Sequence, residues 1–373
     1  MLQKNQEMRV RNSSIELLRI ISMIMIVFHH FAYHGGFSFG ASVSITHFWY
    51  NFIIMGGKVG VNIFVLISGY YLITNNETRF NIHKTAKFIG QVFFYSVVLF
   101  FIGRITGVAG FSLKSLVKVF FPITFSAWWF ASTYFVLYLL HPFLNKLLTH
   151  ITKTLYQKLI LTLVICWSVI PTFTTSAFQG NSLLWFITLY TIAGYVRLYG
   201  LNKRLTTKHY FVVWSICSLL TYASSVVFTV LGSKWDVFAE HITYFYGQER
   251  LTTLLTAVSF FMIFETSKLN YRKWINTLAS ATFGVYLIHD HEVVRDFLWK
   301  DLFENARYQN SLFLIPYSIF VVAVVYIVCS SVDLLRQSII EKPFMKLVKR
   351  CTGKNNILVQ KAGVFLKDLV FGK

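Results

Sequence analysis

The sequence predicts an all-α fold: a polytopic membrane bundle of about ten transmembrane helices, with the N- and C-termini both cytoplasmic. Three observations predict it. Hydrophobic residues make up 55% of the 373 residues and charged ones only 13%, about half the charged fraction of ~25% usual in soluble domains. Runs of roughly 20 mainly apolar residues, the length that spans a bilayer, recur near 15–34, 50–73, 86–107, 127–148, 156–174, 183–199, 209–231, 251–267, 277–294 and 311–333. With the N-terminus inside, 25 of the 35 Lys and Arg fall on inner segments and 8 on outer ones, Arg19 and Lys58 lying within spans. That asymmetry is what the positive-inside rule requires. The net charge of +20 is then an address and an attraction to anionic lipid, and no nucleic-acid partner is expected.

Three segments follow: a cytoplasmic N-terminal segment, 1–14, a membrane domain, 15–335, and a basic cytoplasmic tail, 336–373. In the tail, EKPFMKLVKR reads as an amphipathic segment lying on the inner leaflet. The polar start with Arg9 and Arg11 runs into a span that keeps its arginine and histidines, and no small-residue cleavage signature follows His34. It reads as a first membrane helix and not as a removed signal peptide. The four cysteines form no Cys-x-x-Cys pair, so neither a disulfide framework nor a thiolate metal site is expected.

The first span, IELLRIISMIMIVFHHFAYH, organises the rest. The eleven-residue step from Arg19 to His30 is about three helical turns, so both share one face roughly 16 Å apart, with His29 about 80° away. Intramembrane ionisable groups are functional-site candidates by default. The competing reading has Arg19 snorkel to the headgroups and His30 bond a neighbouring helix. Glu16, one turn before Arg19, is placed to pair with it.

The second span contains GGKVGVNIFVLISGYYL. Gly56, Gly57, Gly60 and Gly69 allow a helix or a ligand to approach the backbone. Lys58 must face a cavity or snorkel. Ser68 is a ligand donor or bonds the carbonyl one turn back. At the start of the third span Lys84 and Lys87 are one turn apart, near Arg79 and His83. They either clamp a phosphate or are ordinary inner-side charge.

In the fourth span, Trp128, Trp129, Tyr134 and Tyr138 suit an interfacial belt, while Trp129 and Tyr134 equally suit the wall of a sugar or acyl pocket. Pro142 is expected to kink or end the helix. In ATFGVYLIHDHE of the ninth span, Tyr286 and His289 share a face. Asp290, His291 and Glu292 follow, but consecutive helical residues point apart, so no metal is expected there.

Taken together, Arg19 and His30, GVNIFVLISGYYL, Trp129 to Pro142 and GVYLIH at Gly284–His289 resemble the acyltransferase-3 family of integral membrane acyltransferases over residues 14 to about 345. The resemblance implies transfer of an acyl group, usually acetyl from cytoplasmic acetyl-CoA, to sugars of surface polysaccharides, peptidoglycan or antibiotics. It makes His30 the essential histidine and Arg19 its motif partner. Lys84 and Lys87 stand where arginines are common in the family, Glu16 where an aspartate is, and Ile63-Phe64 where the family has FF. Lysine lacks the bidentate fork of arginine, which weakens the phosphate contact expected there.

The mechanism this implies docks acyl-CoA, a donor substrate and not a resident cofactor, on Lys84, Lys87 and Arg19. His30 then acts as general base or transient acyl carrier. Ser68, Lys58, Trp129, Tyr134, Tyr286 and His289 are the acceptor or oxyanion candidates. The partners expected are acyl-CoA, a carbohydrate acceptor and membrane lipid, in a bacterial plasma membrane. Alternatives are another acyl group such as succinyl, an acceptor modified on the inner face, or a flippase for lipid-linked saccharide. Against transport stands the lack of a second copy of the Arg19–His30 pattern.

Overall fold

The computed structural model describes residues 12–74, 81–108, 110, 112–202, 204–267 and 269–352. Among them every regular element is helical. The apolar runs map onto α1 (Ser13–Tyr33), α2 (Ile45–Leu72), α3 (Ile82–Ile105), the short α4 (Leu113–Phe120) and α5 (Trp129–His150). There follow α6 (Lys153–Val164), a π-helical turn Ile165–Val169, α7 (Ile170–Phe173), α8 (Ser182–Tyr199), α9 (Thr207–Gly232), α10 (Asp236–Ala239) and α11 (Leu251–Thr266). The chain closes with α12 (Lys273–Ser280), α13 (Thr282–His289), α14 (Glu292–Asp296), α15 (Leu314–Arg336) and α16 (Lys342–Cys351).

Six helical stretches are long and apolar enough to cross a membrane: Ser13–Tyr33, Ile45–Leu72, Ile82–Ile105, Lys153–Phe173, Thr207–Gly232 and Leu314–Cys351. The protein is thus a multi-pass helical bundle. The remaining expected spans are helical too, but α11 has only 16 residues and α8 18. The ninth differs most: residues 277–294 form no continuous helix, since the chain turns at Ala281 between α12 and α13 and again at Asp290. Close packing accompanies the break. A Cβ on Gly284 would sit 2.1 Å from Asp333 Cγ of α15, so α13 lies against α15 more tightly than any side chain there permits. Pro142, by contrast, is held inside a continuous α5.

The centre of the bundle is α1 laid along α2, with α8, α9 and α11 packed on α2. The glycines of α2 permit this. A Cβ at Gly60 would come within 2.7 Å of the Ser22 carbonyl oxygen, one at Gly57 within 2.2 Å of His29 Cγ, and one at Gly69 within 3.0 Å of Tyr190 Cα in α8. Helices approach closely in lipid through such small residues. Burial separates the centre from the rim: 67% of the apolar window of α2 is buried inside the bundle, but 17% of that of α9. α9 instead exposes Phe211, Ile216, Leu219, Leu220 and Val227, a surface suited to lipid.

The N-terminus of α1 is capped by Asn12, whose side chain accepts from the Ser14 amide at 2.9 Å. Ser13 Oγ accepts from the Arg272 amide at 2.9 Å, and Ser14 Oγ donates to the Ser267 carbonyl at 2.9 Å. At the other end Asn305 Nδ2 donates to the Phe31 carbonyl at 2.9 Å. These ties fix α1 along its axis, and with it the height of His30. In the tail, the π-helical turn Gln337–Glu341 leads into α16. That helix rests Phe344 on Gly90 of α3. The N-terminal segment up to Arg11, Arg79 and the tail from 353 lie outside the described residues.

Candidate active site

His30 and His289 meet across 259 residues of sequence. His30 Nδ1 is 2.9 Å from His289 Nε2, and His289 Nδ1 is 2.5 Å from the Val285 carbonyl oxygen. A carbonyl only accepts, so the His289 Nδ1 carries the proton and its Nε2, in the neutral ring, presents a lone pair. His30 must then donate from Nδ1. A neutral His30 is thereby left with an unprotonated Nε2, the tautomer a general base needs. Asp290, the residue capping the C-terminus of α13, lies 3.7 Å from His30 Nδ1, with His34 Nε2 at 3.7 Å and Arg295 at 3.8 Å from the same oxygen.

His30 lines a cavity of about 510 Å³ with Met23, His29, Lys58, Trp129, Phe130 and Tyr286 among its walls. Lys58 Nζ sits 5.1 Å from the centre of the Trp129 ring, a cation over an aromatic face. The Tyr286 hydroxyl is buried beside Asp290 and forms no hydrogen bond of normal geometry. Its surroundings are the Asp290 carboxyl and the Phe130 backbone. His29 is spoken for: its Nδ1 donates to the Ile54 carbonyl at 2.8 Å, joining α1 to α2.

The cavity extends along α1 from Met23 to His30, seven residues or about 10 Å of helix. Arg19 lies one turn beyond it, with its Nη1 3.3 Å from Glu16 Oε2, the pairing expected from the spacing. Both share a neighbourhood with Tyr71 and Arg197. Ser68 takes the plainer of its two readings, donating to the Phe64 carbonyl at 2.8 Å. Tyr134 stays behind the cavity wall, stacked on Phe130 at 6.0 Å. Lys87 forms an ion pair with Glu341 at 2.6 Å, while Lys84 is exposed. The residues gathered in one place are therefore His30, His289, Lys58, Trp129, Tyr286, Asp290 and His34.

His34 and Asp290 were not foreseen as members of this cluster. The signal for His34 is its i,i+4 spacing from His30, which puts both on one face. For Asp290 there is none, because the contact depends on how α13 ends. Ligand atoms of His30, His34 and Asp290 lie within 4.8 Å of one another. His291 turns away, its ring 5.3 Å from that of Trp128. Arg197 is a further cation near the Arg19 end of α1. It donates to the Tyr70 hydroxyl at 3.0 Å, and that hydroxyl donates to Glu265 at 3.0 Å.

Among known proteins, the model described as an acyltransferase domain, Acyl_transf_3, matches residues 12–331. No curated protein and no solved structure matches the chain.

Proposed function

We infer the reaction from a fixed premise: the chain belongs to the acyltransferase-3 family and is a membrane acyltransferase. The reading we propose is transfer of an acetyl group from cytoplasmic acetyl-CoA to a sugar hydroxyl of a cell-surface or exported polysaccharide, in a bacterial plasma membrane. The observation that carries it is the His30–His289 bond, which leaves the basic nitrogen of His30 unprotonated in a ring lining a mainly apolar cavity.

In this reaction His30 Nε2 takes the proton of the acceptor hydroxyl as its oxygen attacks the thioester carbonyl. The tetrahedral oxyanion is met by Lys58 and the Tyr286 hydroxyl. Collapse breaks the carbon–sulfur bond, and the proton passes from His30 to the departing thiolate. The imidazolium formed in between is stabilised by the Asp290 carboxylate, 3.7 Å from Nδ1. Arg19, with Arg197 nearby, attracts the donor phosphates from the inner side, supported by the exposed Lys84. The orientation follows the charge bias, with ten crossings and both termini inside.

The test is purified full-length protein in detergent, given labelled acetyl-CoA with and without extracted surface polysaccharide. The expected result is acceptor-dependent CoA release and label on the polymer, lost in His30→Ala. Label transfer by that variant at the wild-type rate overturns the role of His30. Movement of lipid-linked saccharide across vesicles without CoA release supports transport instead.

A further inference from the structure

A second cavity, of about 610 Å³, opens between the α7–α8 connection and the segment entering α11, at the end of the bundle where α1 finishes. Trp167, Trp185, Asn181, Ser182, Gln248 and Glu249 line it. No residue of it was singled out by the sequence patterns, and none belongs to the His30 cavity.

Its walls are held in place from several sides. Trp167 sits in the π-helical turn of α6–α7, a distortion that recurs at functional sites. Its indole N–H donates to the Phe178 carbonyl at 3.2 Å. Phe178 and the next residue, Gln179, both adopt left-handed backbone, with φ of 44° and 58°. Two consecutive non-glycine residues in that region are strained, and such strain persists where the surroundings enforce it.

The floor is pinned as well. Asn62 Nδ2 donates to the Gln248 carbonyl at 2.7 Å, Ser168 Oγ to the Glu249 carbonyl at 2.7 Å, and the Leu251 amide to Thr172 Oγ1 at 2.8 Å. Arg250 lies over the Tyr244 ring at 4.0 Å. The backbone groups are thus satisfied within the protein, while the side chains of Gln248 and Glu249 are left to the cleft. Gln248 Oε1 is buried with no hydrogen-bond partner.

Two indoles, an amide oxygen and a carboxylate in one cleft suit a sugar ring. Its C–H face packs on an aromatic surface, and its hydroxyls donate to the acceptor oxygens. Glu249 lies 3.6 Å from Arg250 Nε, which offsets its charge and favours a neutral polyol over a cation.

The cleft also adjoins the reaction cavity. Asn62, which holds the floor, also accepts from Trp185 Nε1 at 2.9 Å. It is one turn, about 6 Å, along α2 from Lys58. Phe186, next to Trp185, packs its ring 6.2 Å from Trp129 and 5.5 Å from Phe130, both of which line the His30 cavity.

We propose that this cleft is a carbohydrate subsite, holding sugar residues of the acceptor chain beside the one presented to His30. The proposal rests on the reading of the acceptor as a carbohydrate. It is tested by calorimetric titration of the full-length protein in detergent with tetrasaccharides of glucose, N-acetylglucosamine and rhamnose, without acyl-CoA. At least one should bind saturably. Glu249→Gln and Trp167→Ala should each weaken it about tenfold, the scale of one aromatic or hydrogen-bonding contact.

Binding by none of the three sugars, or binding by both cleft variants as tight as that of the wild type, overturns the subsite, as does saturable binding of tetramethylammonium in their place. Sugar binding that follows these residues in a protein that transfers no acetyl group overturns the proposed reaction and leaves the subsite standing. Glu249→Gln, a near-isosteric change, keeps the test usable should Trp167→Ala fail to fold.

Discussion

Two buried acids close to the same short helix, α13, are treated in opposite ways. At its start, Gly284 presses on Asp333. The Asp333 Oδ1 accepts from Gln91 at 3.1 Å, Tyr95 at 2.8 Å and Arg336 at 2.8 Å, while Oδ2 accepts from Gln337 at 2.8 Å. At its end, Asp290 has cationic or imidazole partners only at 3.7–3.8 Å. A carboxylate whose lone pairs are committed ties helices together and has nothing left to offer. One whose partners stand off by nearly an ångström can still respond to a charge appearing on His30. On the proposed reading the first is scaffold and the second is chemistry, and the two meet opposite ends of α13.

The sharpest way to break that distinction is to remove each centre in turn. His30→Ala should lower acetyl transfer by ~10²–10⁴, the loss of a general base, with the thermal unfolding midpoint in detergent unchanged. Asp333→Ala should do the reverse. It leaves Arg336 in a buried site with Glu341 as its remaining partner, at a cost of about 3–5 kcal/mol. The folded fraction should keep most of its specific activity. A stable Asp333→Ala protein with no activity would merge the two clusters into one.

His289 gives a finer test. If it orients His30 by accepting from Nδ1, His289→Gln, whose amide oxygen also accepts, should stay within ~3-fold of the wild-type kcat. His289→Ala should lose ~10–10²-fold in kcat with KM for acetyl-CoA unchanged. Equal losses in the two variants, matched by lowered unfolding midpoints, would mark His289 as scaffold.

What the sequence made legible follows the range of each interaction. Glu16 and Arg19 are one turn apart on one helix, and their pairing is set by that spacing alone. The apolar run of α1 likewise places His30 at a definite height and on a definite face. The His289 partner was within reach as a candidate, since it sits in a recognisable GVYLIH block, but which nitrogen meets which is decided by tertiary packing. Apolar run length also misled. Residues 277–294 are apolar enough to suggest one span, yet the fold divides them, because composition does not record that Gly284 must meet Asp333. That acid, at the C-terminal end of the last apolar run, drew no attention from pattern alone. The second cleft was invisible for the same reason: Trp167 and Glu249 are 82 positions apart, joined through Ser168 bonding to the Glu249 carbonyl.

The smallest effect expected concerns Asp290 itself. Replacing it by asparagine keeps the shape and removes the charge. Its neighbours tolerate this, since Arg295 is about one-third exposed and keeps access to solvent, so the unfolding midpoint should not move. What is lost is the attraction for the imidazolium that forms on His30 during transfer. At 3.7 Å and an effective dielectric constant near 20 the attraction is a few kcal/mol before solvent and Arg295 oppose it. A net loss of ~3–10-fold in kcat is therefore expected, read against unchanged KM. A drop in stability without a change in kcat would place Asp290 with Asp333, and the contrast between the two ends of α13 would be one of geometry without a chemical consequence.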